Sequence, residues 1–379
     1  MDRKEFIGRD SFREFESHFR ALGIDSVFLV MGKRSYAESG AAAMVDRMLE
    51  GNRSLRFSGV ASNPVLNDVV VGTSLLRRQP ADVVLAVGGG SVIDAAKCVS
   101  LLSQHDVSAS GIVTGQLPIV NRATPIIAIP TTAGTGSEAT QFASIYIGKA
   151  KFSLEHESIL PAVAVVDPVF TMSLPPYQTA VTGIDALSQA IESFWSTGST
   201  PESQEFAAKA IDLVMNNLRT AVNEPNEESR LSMIIAANLA GKAINISKTT
   251  ACHALSYYLT SHFGLAHGHA VGLTLARMML YNGDVSDEDV NDTRGAAFVR
   301  EMILKLAKLL GNNEISEAAM SIEHLMCDIG LGGPVSDLNI EDYHIQEMVH
   351  EALNSNRMAN NPRRFTAESL ESLLSSVLI

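Results

Sequence analysis

From residue 26 to about residue 170, short apolar runs alternate with helix-length stretches: SVFLVMG, SGAAAMVDRMLEG, ADVVLAVGGG, SVIDAAKCVSLLS and TPIIAIPTT follow one another in that order. Such alternation argues for parallel strands joined by crossover helices, an α/β arrangement. After PAVAVVDPVFTMSLPP the texture changes. PESQEFAAKAIDLVMNNLRTAV and EMILKLAKLLG are long amphipathic stretches with few β-branched runs, which argues for helices. Pro175 and Pro176 mark the join, because proline disfavours helix for its predecessor yet suits a helix's first turn. The expected organisation is an α/β dinucleotide-binding domain over residues 1–171 and a helical domain over residues 172–379.

Composition supports two domains. A chain of 379 residues, 46% hydrophobic and 19% charged, is too long for one ordinary core and too apolar for disorder. Its 29 basic and 42 acidic residues give a formal charge of -13, which argues against nucleic acid or an anionic membrane as a partner. An anionic ligand needs a local basic pocket. Cys98, Cys252 and Cys327 are odd in number, far apart and in no CxxC pair, so a disulfide framework and a zinc knuckle are both disfavoured. The start MDRKEFIGRDSF has no apolar signal core, and no apolar run approaches the roughly 18 residues that span a bilayer. A cytoplasmic location is expected.

In ADVVLAVGGGSVIDAAK a buried strand leads through Gly88, Gly89 and Gly90 into a helix opening at Ser91, with Asp94 in its first turn. Glycines admit a ligand close to the backbone, and the N–H groups of a helix start bind phosphate, so this turn is a candidate pyrophosphate site. It is not the usual GxGxxG, and such a cluster also serves packing alone. A second strand followed by hydroxyls and glycines, IPTTAGTGSEAT (129–140), strengthens the nucleotide reading, since two such turns can face one crevice. The strand VFLVM ends in Gly32, Lys33, Arg34 and Ser35, with no carboxylate to engage a ribose 2'-hydroxyl. That favours NADP(H) over NAD(H).

In the helical half, Asp185 and Gln189 stand four apart in GIDALSQAIESFWS, on one helix face. His253, His262, His267 and His269 cluster in TTACHALSYYLTSHFGLAHGHAVG. His253 falls in a helical run and His267 near the start of the following helix, beside Gly264 and Gly268. Imidazoles so placed can converge on one ion, and Asp185 would complete an Asp-His-His set with a position left open. Nothing in the spacing alone brings residue 185 to residue 253.

The motifs GGGSVIDAAK, PTTAGTGSEAT, VVDPVFTMSLPP, GIDALSQAIES and HALSYYLTSHFGLAHG, in this order and spacing, resemble the iron-containing, or group III metal-dependent, alcohol dehydrogenases. The resemblance runs from about residue 25 to 282. It implies an N-terminal nucleotide domain, a C-terminal helical domain that binds metal and substrate, a cleft between them where metal and nicotinamide meet, and a homodimer. Carried over residue by residue, Gly88, Gly89, Gly90, Ser91 and Asp94 fall on the family's pyrophosphate turn. Thr131, Thr132 and Thr135 fall on its second cofactor loop, and Lys151 on a lysine that lines the cofactor site. The metal set corresponds to Asp185, Gln189, His253 and His267. Two departures stand out, because the family usually has histidine where this chain has Gln189, and often has another where it has Tyr257.

A neutral amide is a poorer ligand than imidazole for a borderline metal. The expected set is therefore Asp185, His253 and His267, with Gln189 holding a water or lining the pocket. Three ligands and an open position favour zinc over iron, as in the related glycerol dehydrogenases and dehydroquinate synthases. Within the superfamily, MGKRSYAESGA, DALSQAIESFWS and HALSYYLTSHFG look most like the phosphonoacetaldehyde reductase branch. This implies reduction of a small aldehyde, with Tyr257 and Lys151 as candidate catalytic groups. Lys248, Thr249, Thr250, Ser256 and Tyr257 are candidate contacts for a phosphonate. The alternatives are a reductase of another small aldehyde or polyol, a lyase or cyclase of the dehydroquinate synthase kind, and a nucleotide-binding protein without catalysis.

Overall fold

The computed structural model describes residues 3–61, 63–333, 335 and 338–378. The chain divides into two compact units, one of residues 1–174 with 226–241, the other of 175–225 with 242–379.

The first unit is built on six parallel strands: β1 (Lys4–Ile7), β2 (Ser26–Met31), β3 (Arg53–Phe57), β4 (Val83–Gly88), β5 (Ile126–Pro130) and β8 (Val163–Val166), in the order β1-β8-β5-β4-β2-β3. An antiparallel hairpin of β6 (Phe142–Ile147) and β7 (Ala150–Glu155) stands apart from this sheet. The period of two along a strand sends alternate side chains to opposite faces. Phe28, Val30, Val84 and Ala86 pack with Ile93 and Leu101 on one face, and Val27, Leu29, Val83 and Leu85 with Phe12, Phe15 and Phe19 on the other. Both faces are covered, which is why these strands read as unbroken apolar runs. The chain order reverses between neighbours β2 and β4, where Met31 lies opposite Val87. Gly32 and the glycine turn thus leave adjacent strand ends at a topological switch point, the usual place for a ligand in such sheets.

The second unit is helical. Its central helix, Pro176–Trp195, starts with Pro176 in the first turn, where the missing N–H costs nothing. Every residue from Thr179 to Trp195 is buried. A helix buried all round must find partners for each polar group it carries, and this one carries Asp185, Gln189 and Glu192. Among the described residues no helix is long and apolar enough to cross a membrane.

Late in this unit Asp289 accepts from Ser286 N at 2.8 Å and Arg363 Nε at 2.7 Å, tying the chain near residue 363 to the loop after residue 283. Burial acts to raise the Asp289 pKa, but the Ser286 and Arg363 bonds outweigh it and hold the group below its ordinary value. A carboxylate with a depressed folded pKa contributes stability above its unfolded pKa and loses it as pH falls through the folded one. Asp289→Asn is therefore expected to lower Tm at pH 7 by the equivalent of about 1 kcal/mol or less, since the pair is partly exposed. Melts of the two proteins should converge below both pKa values.

Candidate active site

In the first unit the glycine turn and the second loop are packed on each other. The helix Gly90–Leu102 begins one residue before the expected Ser91, with Gly89 as an extended N-cap and no side chain capping it. A Cβ on Gly89 would lie 3.2 Å from Thr132 Cγ2, and one on Gly90 2.5 Å from Thr135 Cγ2. These two glycines make room for the threonines of the second loop, and Thr131 N donates to Gly88 O at 3.0 Å. Thr131 Oγ1 is buried without a hydrogen-bond partner. Asp94 pins the arrangement by accepting from Ser137 Oγ at 2.5 Å and Ser144 N at 2.9 Å. Burial raises its pKa against the opposing influence of Lys97, Ser137, Ser144 and Lys151.

Lys97, which the sequence did not single out, is wholly buried and donates to Ser137 O, Thr140 Oγ1 and Phe142 O at 2.6, 2.9 and 2.9 Å. Burial lowers its pKa to about 8, with Asp94 and Glu138 opposing. Lys151, on β7 opposite Tyr146, acts on Asp94 through its charge. Lys33 and Arg34 are exposed beyond β2.

In the second unit Asp185, His253 and His267 come together, their ligand atoms all within 4.8 Å of one another. The helix Ala251–Phe263 carries His253, Gly264 ends it in a left-handed conformation, and the helix His267–Gly283 begins on the ligand itself. His253 Nε2 lies 3.6 Å and His267 Nε2 3.9 Å from Asp185 Oδ1. These separations are too long for hydrogen bonds, whereas bonds of about 2.1 Å to a tetrahedral ion place ligands roughly 3.4 Å apart. Asp185 Oδ1 is buried with no hydrogen-bond partner, and so is Gln189 Oε1 one turn further on. An unpaired buried acceptor costs on the order of 1–3 kcal/mol, a cost that a cation on Asp185 removes. The residues present fit a divalent metal.

The imidazoles are oriented from behind. Ser256 Oγ donates to His253 O at 2.8 Å, so at 3.3 Å it accepts from His267 Nδ1 and turns that ring's Nε2 toward Asp185. His253 Nδ1 bonds Glu192 Oε2, and Glu192 Oε1 also accepts from Thr250 Oγ1 at 2.7 Å and Cys252 N at 2.8 Å. Thr250 and Ser256, two of the candidate phosphonate contacts, thus have internal hydrogen-bond partners. Burial acts to lower the His253 pKa, but Glu192 and Asp185 outweigh it and raise it to about 9. Burial acts to raise the pKa of Asp185 and of Glu192, but the facing imidazoles outweigh it and both lie below the ordinary range. Glu192 was missed in the sequence, although Asp185, Gln189 and Glu192 at i, i+4 and i+7 place three polar groups on one face of an apolar helix. The Tyr257 ring stacks near His267, with centroids 6.3 Å apart and planes 22° apart.

A glycine turn at the switch point of a parallel sheet, with an Asp-His-His group in a helical unit, is the equipment of a nucleotide-binding enzyme with a candidate metal centre. Residues 3–168 match the iron-containing alcohol dehydrogenase family, and residues 179–378 its C-terminal Fe-containing family. The chain belongs to the iron-containing alcohol dehydrogenases. It is 38% identical over 311 residues to the phosphonoacetaldehyde reductase of Streptomyces viridochromogenes, covering 79% of this chain and 77% of that one. To the 1,3-propanediol dehydrogenase of Klebsiella pneumoniae it is 30% identical, covering 97% and 95%. The crystal structure of sulfoacetaldehyde reductase from Bifidobacterium kashiwanohense in complex with NAD+ superposes with a TM-score of 0.89 at 32% identity, covering 99% of this chain and 96% of that one.

Proposed function

We propose that the protein reduces phosphonoacetaldehyde to 2-hydroxyethylphosphonate with hydride from NADPH, using a divalent metal held by Asp185, His253 and His267. The observation that carries the reading is the buried, partnerless Oδ1 of Asp185 facing two imidazole nitrogens at 3.6 and 3.9 Å. A metal ion bound there would supply Lewis acidity toward a carbonyl oxygen, and a nicotinamide would supply hydride. Residues 1–171 bind the cofactor, through Gly32, Gly88, Gly89, Gly90, Ser91, Thr131, Thr132, Thr135 and Lys151. Residues 172–379 bind metal and substrate. Gln189 lines the site, and Tyr257, beside His267, delivers the proton to the product oxygen.

The substrate class is supported by two relatives whose names specify two-carbon aldehydes with an oxyanion head, a phosphonate and a sulfonate. Such a head needs a local cation in a chain of charge -13. Lys248 is the proposed contact. It lies five residues before His253 and holds a φ of 65°, a left-handed conformation that non-glycine residues retain where surrounding structure enforces it. NADPH is proposed over NADH because Gly32 stands where an NAD site commonly has an acid, with Lys33 and Arg34 next to it. For the metal, the family's description names iron, and the zinc preference drawn from a three-ligand set finds no support in the comparisons.

The test is oxidation of NADPH and of NADH by Fe2+-loaded and Zn2+-loaded protein with phosphonoacetaldehyde, sulfoacetaldehyde, succinic semialdehyde and propanal. Phosphonoacetaldehyde should exceed propanal in kcat/KM by about 10-fold or more, the worth of one charge-assisted hydrogen bond. Preference for propanal removes the anionic substrate and leaves the dehydrogenase. Uptake of neither metal removes the proposed mechanism.

A further inference from the structure

We propose that Glu192 is a positioning residue that sets which nitrogen of His253 faces the metal, an inference that rests on the metal reading above. The His253 ring spans two carboxylates of one helix, with Nε2 toward Asp185 Oδ1 at 3.6 Å and Nδ1 bonded to Glu192 Oε2. Asp185 and Glu192 are seven residues apart, two turns along the same face. Their chemistry is opposite. Glu192 is wholly buried and receives hydrogens from His253 Nδ1, Thr250 Oγ1, Cys252 N and His253 N, the last three at 2.7, 2.8 and 3.4 Å. Asp185 Oδ1 receives none. Glu192 has both oxygens engaged by donors of the protein, whereas Asp185 keeps one buried oxygen that no donor reaches.

Because Glu192 accepts at Nδ1, the proton that His253 gives up is the one on Nε2, and the Nδ1–H tautomer so formed turns its Nε2 lone pair to the space shared with Asp185 and His267. The same carboxylate holds the start of the helix Ala251–Phe263, so ring orientation and helix position are set together. Thr250 extends the chain outward: it donates to Glu192 and accepts from Trp195 Nε1 at 2.9 Å. Trp195 is the chain's single tryptophan. Its fluorescence therefore reads a site three bonds from His253.

The experiment is a Zn2+ titration against a competing chelator, followed by Trp195 fluorescence, on the full-length metal-free protein and on Glu192→Gln and Glu192→Asp. An amide in place of the carboxylate presents an N–H to Nδ1, forces the proton to Nε2, and should weaken Zn2+ binding by about 10- to 100-fold. Glu192→Asp keeps the acceptor and should recover part of that loss. The second readout needs no variant: in the 15N spectrum of the Zn2+-loaded wild-type protein, His253 should show a metal-bound Nε2 and a protonated Nδ1. Metal on Nδ1, or Glu192→Gln binding Zn2+ as tightly as wild type, overturns the positioning role alone. Wild-type protein that binds neither Zn2+ nor Fe2+ overturns it together with the metal reading.

Discussion

Gly268→Ala is expected to abolish tight metal binding and to lower stability by about 1–3 kcal/mol, the usual range for overpacking. A Cβ at this position would stand 2.0 Å from Val181 O and 2.9 Å from Asp185 Cβ. The first of these atoms is backbone of a helix buried along its length, so it cannot swing aside as a side chain would. The helix that starts at His267 must retreat instead, by on the order of 1 Å in a close-packed interior. His267 Nε2 already lies 3.9 Å from Asp185 Oδ1, and metal–ligand distances tolerate only about 0.2 Å. Chelator competition should show an affinity loss beyond about 100-fold, the upper range for merely outlying partners. The comparison is Gly264→Ala. Gly264 has a φ of 69° and nothing within 4 Å of its Cβ position, so alanine there should cost roughly 1 kcal/mol in a melt with metal affinity preserved. Wild-type affinity in Gly268→Ala would show that the helix contact does not set the ligand geometry.

The parts of this protein legible in its sequence are those written in local period. The alternation up to residue 170 showed parallel strands because each is buried on both faces, and the amphipathic stretches after Pro176 showed helices. The β6–β7 hairpin was not read, and neither was the return of residues 226–241 to the first unit, because a helical pattern does not say which core its apolar stripe will join. Gly89 and Gly90 read in the sequence as a candidate pyrophosphate turn or as packing, and the structure adds that a Cβ on either would meet Thr132 or Thr135 of the second loop. A glycine reports close approach without naming what approaches. Thr250 and Ser256 are candidate substrate contacts by sequence because they flank His253, and the structure shows that their hydroxyls bond Glu192 and His267. Glu192 escaped notice for the converse reason: a buried glutamate seven residues after Asp185 becomes meaningful only once another helix brings an imidazole to it.

Asp185→Asn separates the anchor of the metal group from its scaffold. The amide matches the carboxylate in shape but removes the negative charge, and among the described residues Asp185 is the carboxylate paired with both imidazole Nε2 atoms. Metal affinity should fall by more than about 100-fold, and turnover with it. Binding of the nicotinamide cofactor should hold, because the glycine turn and the second loop belong to the other unit and share no residue with this group. Stability gives an independent reading. A ligand that binds only the folded state stabilises it by about 2.7 kcal/mol at a concentration of 100 Kd, so added Zn2+ should raise the Tm of the wild type and leave Asp185→Asn unmoved. Gln189→Ala decides the number of ligands. Gln189 Oε1 is buried without a partner, as Asp185 Oδ1 is, but an amide oxygen carries no net charge and binds a borderline metal weakly. Its loss should reduce affinity by less than the roughly 10-fold that an outlying hydrogen-bond partner can cost. A loss as large as that of Asp185→Asn would make Gln189 a fourth ligand, and the departure from the family's histidine would then be an exchange of donor atom rather than a vacated position.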